Sequence, residues 1–351
     1  MFTIPISDNL AFVLDDDDFV RAERERLAGE DEFDVEENTK KSWRCHYVEF
    51  DTFAVESFAT PGVGIVYSGT FNLDTHAAWV LSRDQLFLIS RKTRKVGRAP
   101  PPEDRISLFD ISRIGDRYYL SCNNSKMWFY DVVADKWIAA VTSPPPPAPP
   151  PRKAQETTPE YVARTTKPRV EHIRKYPHFY KAIAVGGDHY LLGALGRVVR
   201  LRGDASDELW LASGARLVRG GSEGDQAILC GDDPVAEIFR GTLDAGFERI
   251  YQNEERALHM TAIHNRVRYI GAAEFPGFNG PSLHTYDGEN LTPIETGCAR
   301  EPDNLLDLSS TGKVLWAIDR RGIFRLAGDD WTLTELSDIE RGRAGLERAR
   351  S

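Results

Sequence analysis

The side chains of this chain that are capable of chemistry gather in short polar turns, each joining two apolar or aromatic segments. Asp232 and Asp233 share one turn, Asn123 and Asn124 another; Arg197 stands in a third, Arg320 and Arg321 in a fourth. If those turns lie on one face, their carboxylates, amides and guanidiniums would hold a polar ligand. Two carboxylates with separated pKa values would also perform acid–base work there. The Asp329–Asp330 pair is different, because it precedes a Trp-led segment and reads as a turn former.

Motifs that would sharpen the chemistry are missing. There is no G-x-S-x-G elbow, Gly-rich phosphate loop, EF-hand loop or H-E-x-x-H helix. The glycines of GVGIVYSG (62–69) and GALG (193–196) read as turns at strand ends, without a following helix to offer amides to phosphate. Cys45, Cys122, Cys230 and Cys298 stand at least 68 residues apart, so none forms a paired-cysteine motif, and they read as reduced thiols. His259 and His264 lie five apart in apparent strand and turn. The sequence therefore nominates no catalytic residue, no metal ligand and no cofactor. Contact residues of another kind are Phe275 and Phe278 in EFPGFNGPS (274–282), where aromatics on a polar rim would anchor a protein interface. The alternative is that one of them tucks into the neighbouring unit.

The elements that must carry these turns form a repeat. An apolar strand, a polar turn and a second apolar strand recur in AAWVLSRDQLFLIS (77–90), YYLSCNNSKMWFYDV (118–132), YLLGALGRVVRLRG (190–203), AILCGDDPVAEIFRG (227–241), VRYIGAAEFPGFNGPSLHTYDG (267–288) and VLWAIDRRGIFRLAG (314–328). Aligned on Ser82, Cys122, Gly193, Cys230, Gly271 and Ala317, the spacings are 40, 71, 37, 41 and 46. The long one contains a Pro-rich insertion. Before each hairpin lies an apolar run such as FYKAIAV or LHMTAIH, and after several comes a strand led by a large side chain, as in ADKWIAAV and DDWTLTEL. Four short strands in about 40 residues are what one propeller blade requires.

The segment SSTGKVLWAIDRRGIFRLAGDDWTLTEL (309–336) resembles a tectonin-type propeller repeat, and AVGGDHYLLG (184–193) is similar to the double glycine of kelch repeats. The resemblance implies fold rather than function. The expected architecture is all-β: a single β-propeller of six blades, seven being the alternative, with the insertion between blades. Residues 1–44 read as an acidic arm with a short helix near Asp18 to Ala28. LAFVLDD (10–16) and CHYVEFDTFAVESF (45–58) would supply a partial blade, or a strand completing a blade begun by the C-terminus. Residues 45–143 would hold the first blades, 144–181 the insertion, 182–337 the remaining blades and 338–351 a tail.

Charge is uneven. The chain carries a formal −10, concentrated between Asp15 and Glu37, while Arg152 to Lys181 is basic and interleaved with Tyr161, Tyr176, Phe179 and Tyr180. Seven prolines in 144–151 favour an extended spacer. Tyr176 and Phe179 are its candidate contact residues. Nucleic acid is disfavoured because an acidic chain repels phosphate. No apolar run approaches the ~20 residues that cross a bilayer, and the N-terminus lacks a basic leader, so the expected location is the cytoplasm. The function expected is that of a non-enzymatic, protein-binding scaffold, an immunity-type inhibitor or an adaptor. A lectin-like sugar-binding propeller and a hydrolase or lyase acting in the central channel are the alternatives.

Overall fold

Runs rich in β-branched and aromatic residues, bounded by Gly, Asn and Asp, form strands because such side chains suit a pleated, half-buried surface. The computed structural model describes residues 1–16, 42–62, 64–82, 85–100, 102, 107–123, 125–144, 147–203, 205–273, 277–342 and 347–348. The acidic arm beyond Asp16, with its expected helix, and residues 343–346 and 349–351 of the C-terminal tail lie outside the described residues, as do Asn124 and Phe275.

Seven antiparallel sheets follow one another along the chain. The first is Phe2–Pro5 (β1), Leu10–Asp15 (β2), Ser42–Glu49 (β3) and Ala54–Pro61 (β4). The second is Ser68–Asn72 (β5), Ala77–Ser82 (β6), Gln85–Ser90 (β7) and Val96–Ala99 (β8). The third is Leu108–Ile114 (β9), Arg117–Cys122 (β10), Lys126–Asp131 (β11) and Lys136–Val141 (β12). Helix α1, Thr158–Lys175, precedes the fourth: Phe179–Val185 (β13), Asp188–Gly193 (β14), Arg197–Arg202 (β15) and Ala205–Trp210 (β16). The fifth is Leu217–Glu223 (β17), Gln226–Gly231 (β18), Ala236–Thr242 (β19) and Gly246–Asn253 (β20). The sixth is Leu258–His264 (β21), Val267–Ala272 (β22), Leu283–Tyr286 (β23) and Leu291–Pro293 (β24). The seventh is Asp307–Ser310 (β25), Val314–Ile318 (β26), Gly322–Ala327 (β27) and Asp330–Glu335 (β28), extended by Glu347–Arg348 (β29) after the short helix α2, Leu336–Glu340.

Seven sheets correct the expectation of six. The missing repeat is the first, whose second and third strands are separated by the acidic segment from Asp16 to Lys41 rather than by a short turn. Hairpin spacing hid it. Nor does an N-terminal strand complete the last sheet: β1–β4 form a whole sheet of their own, and β25–β28 another. The first and last sheets instead meet through side chains, with Val13, Val48 and Phe50 packed against Trp316, Ile318 and Ile323. Each such fully buried side chain contributes about 1.5–3 kcal/mol.

The chain forms two compact units. One comprises Met1–Pro101, Val235–Phe239 and Arg249–Ser351, the other Pro102–Pro234 and Arg240–Glu248. In the first, Phe12, Trp43 and Tyr47 pack on Val80 and Phe87 between sheets one and two, and Met260 and Leu283 pack on Leu315 and Phe324 between sheets six and seven. In the second, Ile114, Tyr119 and Met127 pack on Phe179, Leu191 and Val199 between sheets three and four.

Candidate functional site

The inner strands share a departure from ideal pairing. In sheets three to six the register between first and second strand slips near the start of the first, leaving Phe109, Tyr180, Val218 and His259 without a paired residue. Each of these follows a buried apolar anchor: Leu108, Phe179, Leu217 and Leu258. A β-bulge of this kind bends the strand and re-aims one side chain. In the second unit two bulged rings meet, Phe109 and Tyr180 having centroids 5.2 Å apart, while His178 lies 5.5 Å from Phe109. All three rings are half-buried.

The backbone beneath them is fixed. Buried Ser121 donates to the carbonyl of Tyr180 (3.1 Å) and to that of Asp110 (3.3 Å), so one hydroxyl holds both bulges. The amide of Ala194 donates to the His178 carbonyl (2.8 Å). Two ion pairs accompany the rings. Lys181 pairs with Asp110 (3.0 Å), and Arg216, forked onto Asp232 at 2.8 and 2.9 Å, lies 5.9 Å from the Tyr180 ring centre. Burial pushes the Tyr180 phenol above its usual range, with Arg216 opposing and Asp232 and Asp233 reinforcing. Burial likewise lowers His178, assisted by the Arg169 guanidinium. At neutral pH the platform therefore presents three uncharged rings between fixed ion pairs. Chemically it stacks and hydrogen-bonds, with a rim of paired charge for orientation.

Of the turn residues nominated from the sequence, Asn123, Arg197, Asp232 and Asp233 belong to the second unit, and Phe278, Arg320 and Arg321 to the first. Asp232 is held by Arg216, and the Asp233 carbonyl accepts from the Arg216 amide (3.0 Å). Arg197 is a structural clasp: it donates to Glu208 (2.6 and 2.8 Å) and to Ser125, and lies 4.8 Å from the Phe179 ring centre and 5.7 Å from that of Trp210. Asn123 ties its turn down by donating its amide to the Ser107 carbonyl (3.0 Å). Phe179 is a correction. It is the fully buried anchor of β13, because the bulge between Phe179 and Lys181 turns Phe179 into the core while its neighbour Tyr180 takes the outward position. Tyr176 caps α1 and packs on His172 (4.9 Å).

In the first unit, Arg320 and Arg321 are exposed, on a turn built by Asp319. This buried carboxylate accepts from the amides of Arg321 and Gly322 (both 2.8 Å) and from that of Asp303 (3.1 Å), and it binds the Arg300 guanidinium. Arg300 also reaches Glu335 (2.7 Å) and lies 4.9 Å from the Phe324 ring centre. Phe278 is partly buried against Gly280 in its own loop.

Phe109, Tyr180 and His178 were not nominated from the sequence. The available signal was the alignment of inner-strand starts, Leu108–Phe109–Asp110, Phe179–Tyr180–Lys181, Leu217–Val218–Arg219 and Leu258–His259–Met260, in which a buried apolar residue precedes the bulge.

Among the described residues no group of three or more His, Cys, Asp or Glu side chains is placed to hold a metal ion, and no helix is long and apolar enough to cross a membrane. No protein-family model matches the sequence, and no curated protein is similar to it. Solved structures are similar. The WD40 β-propeller domain of Doa1 matches with a TM-score of 0.55 and 6% identity over 90% of this chain and 88% of that one. The β-propeller domain of Myceliophteria thermophila Cps50 (Swd1) matches at 0.51 and 8%, over 82% and 92%. YCF48, solved bound to D1 peptide, matches at 0.53 and 13%, over 82% and 87%. At these identities the likeness establishes fold alone. The seven sheets are the blades of a WD40-like β-propeller fold.

Proposed function

We propose that this chain is a non-enzymatic protein-binding scaffold that grips a partner through the platform of Phe109, His178 and Tyr180. The observation that carries the reading is the pair of bulges that turn Phe109 and Tyr180 onto each other at 5.2 Å, half-buried and flanked by ion pairs. Half-buried aromatics inside a polar rim are the composition of interface hot spots. YCF48, whose structure is similar in fold, is solved bound to D1 peptide, which supports the same use of the fold here. The tectonin-like repeat of 309–336 supports the sugar-binding alternative less, since Trp316 and Trp331 are both buried core residues.

The role proposed within this reading is that of a cytoplasmic immunity-type inhibitor or an adaptor. An inhibitor lowers its partner's activity on saturation, whereas an adaptor leaves it intact, so assay of the identified partner separates them. The platform itself is tested by placing a photo-crosslinking amino acid at Tyr180 and, as control, at Val133, which is 98% exposed. One protein should crosslink at Tyr180 and not at Val133. Phe109→Ala and Tyr180→Ala should each weaken its binding at least about tenfold, as hot-spot truncations do. Identical crosslinking profiles at the two positions, or unaltered affinity in both variants, would refute the platform.

A further inference from the structure

Helix α1 stands out by how little of it is buried. Of its 18 residues only His172 is buried, whereas most helices in proteins owe their stability to a packed apolar face. Local devices hold it instead. Thr157 and Glu160 form a capping box, with the Glu160 carboxylate accepting from the Thr157 amide (2.9 Å). Arg164 forks onto Glu156 (2.7 Å to each oxygen) and reaches the Pro151 carbonyl (3.1 Å), while Arg152 donates to the Glu156 carbonyl (3.1 Å). The helix is thus stapled to the Pro-rich segment before it and needs no sheet to cover its outer side.

That outer side has a definite chemistry. Val162, Thr166 and Val170, spaced four apart, form one exposed stripe, with the valines 52% and 39% accessible. Lys167, Arg169 and Arg174, all exposed, flank it. The helix carries five basic residues against Glu160 and Glu171 in a chain whose formal charge is −10. We infer that α1 is a docking helix that lays its Val162–Val170 stripe into an acidic, apolar-floored groove of a partner protein. Helix-in-groove recognition reads anchors at i, i+4 and i+8 in this way. Charge complementarity selects an acidic occupant, and two features favour protein over a lipid surface or nucleic acid. The stripe bears valine rather than the Trp, Phe and Leu that seat interfacial helices, and the chain's net negative charge repels extended polyanions. The inference rests on the protein-binding reading only in taking the partner to be a protein.

The experiment uses the full chain with a photo-crosslinking amino acid in place of Val162 or Val170, followed by sequencing of the crosslinked partner segments. These should combine apolar residues with an excess of Asp and Glu. A synthetic peptide of the recovered segment should bind the full chain with an affinity that falls at least about tenfold in the Lys167→Glu, Arg169→Glu, Arg174→Glu triple variant, and about tenfold for Val162→Ser with Val170→Ser. Far-UV circular dichroism checks that both variants keep the helix. Crosslinks to neutral or basic segments, no crosslinks, or equal affinity in the triple variant would overturn the inference. So would helix-dependent binding to phosphatidylserine vesicles or a single-stranded RNA. Running Tyr180→Ala in parallel separates the two sites: loss there with intact binding in both helix variants overturns the docking helix alone, and the reverse pattern overturns the platform alone.

Discussion

The charged residues of this protein divide by burial, and their energetic weight divides with them. Asp319 is fully buried and accepts three backbone amides besides the Arg300 guanidinium. Removing it strands three backbone donors and leaves Arg300 with Glu335 as its remaining carboxylate, and breaking such a buried pair costs about 3–5 kcal/mol. Asp319→Ala should therefore lower the midpoint of thermal unfolding by several degrees, read by calorimetry. Arg202 also forks onto a carboxylate, that of Asp188, yet its side chain is 59% exposed, and solvent screens the pair. Arg202→Ala should leave the same midpoint nearly unchanged, because an exposed pair is screened by solvent. Equal shifts for the two substitutions would show that burial is not what separates them.

At the scale of elements, two connections have distinct physics. The turn between β14 and β15 needs Gly196, whose φ of +71° lies in the left-handed region and whose added Cβ would stand 2.8 Å from the Leu211 carbonyl oxygen. Its amide donates to the Ala215 carbonyl and its carbonyl accepts from the Leu211 amide (2.8 Å), so the turn cannot shift freely. Gly196→Ala should destabilise the second unit by about 2 kcal/mol, from left-handed strain and the close approach together. Chemical denaturation with a matched Gly203→Ala control tests it, since Gly203 has the same sign of φ but open space around it. Helix α1 is the opposite case. Thr157→Ala removes the capping box and should cost about 1 kcal/mol of helix. Because so little of the helix is buried, the loss should appear as faster amide exchange over 160–175 with an unchanged global melt. A fall of the global melt by several degrees would show that the sheets depend on the helix.

For the whole molecule, pH is the revealing variable. Burial lowers His46, His178, His189, His264 and His284 below the ordinary histidine value. Between those lowered values and about 6.5 the unfolded chain binds more protons than the folded one, so stability rises with pH through that window and is complete above it. Thermal midpoints measured from pH 7.5 downward should therefore hold to about 6.5 and then fall. A second decline should begin below about pH 4, where Asp188, Glu208, Asp244 and Asp287, all held low by hydrogen bonds and ion pairs, take up protons. A midpoint that rises between pH 6.5 and 5.5 would contradict the histidine assignment.

Six of the seven blades were legible as hairpins of period near 40, because alternation and turn chemistry are local properties of a strand pair. FYKAIAV and LHMTAIH were even placed to the residue, as β13 and β21. The first blade escaped, since twenty-six residues of acidic chain between β2 and β3 remove the short-turn signal while leaving the pairing of Leu14 with Cys45 intact. Helix α1 escaped too: the seven prolines of 144–151 read as the start of an extended spacer, yet a helix follows them, with Pro159 in its first turn, where the missing amide is not needed. The site was the least legible part. Composition and periodicity by themselves determined an all-β repeat with reduced cysteines and with polar turns between second and third strands. Which side chains face outward was decided by tertiary structure, because a one-residue bulge exchanges Phe179 for Tyr180 at the surface, and pairing register is settled only when neighbouring strands and sheets compete for the same core.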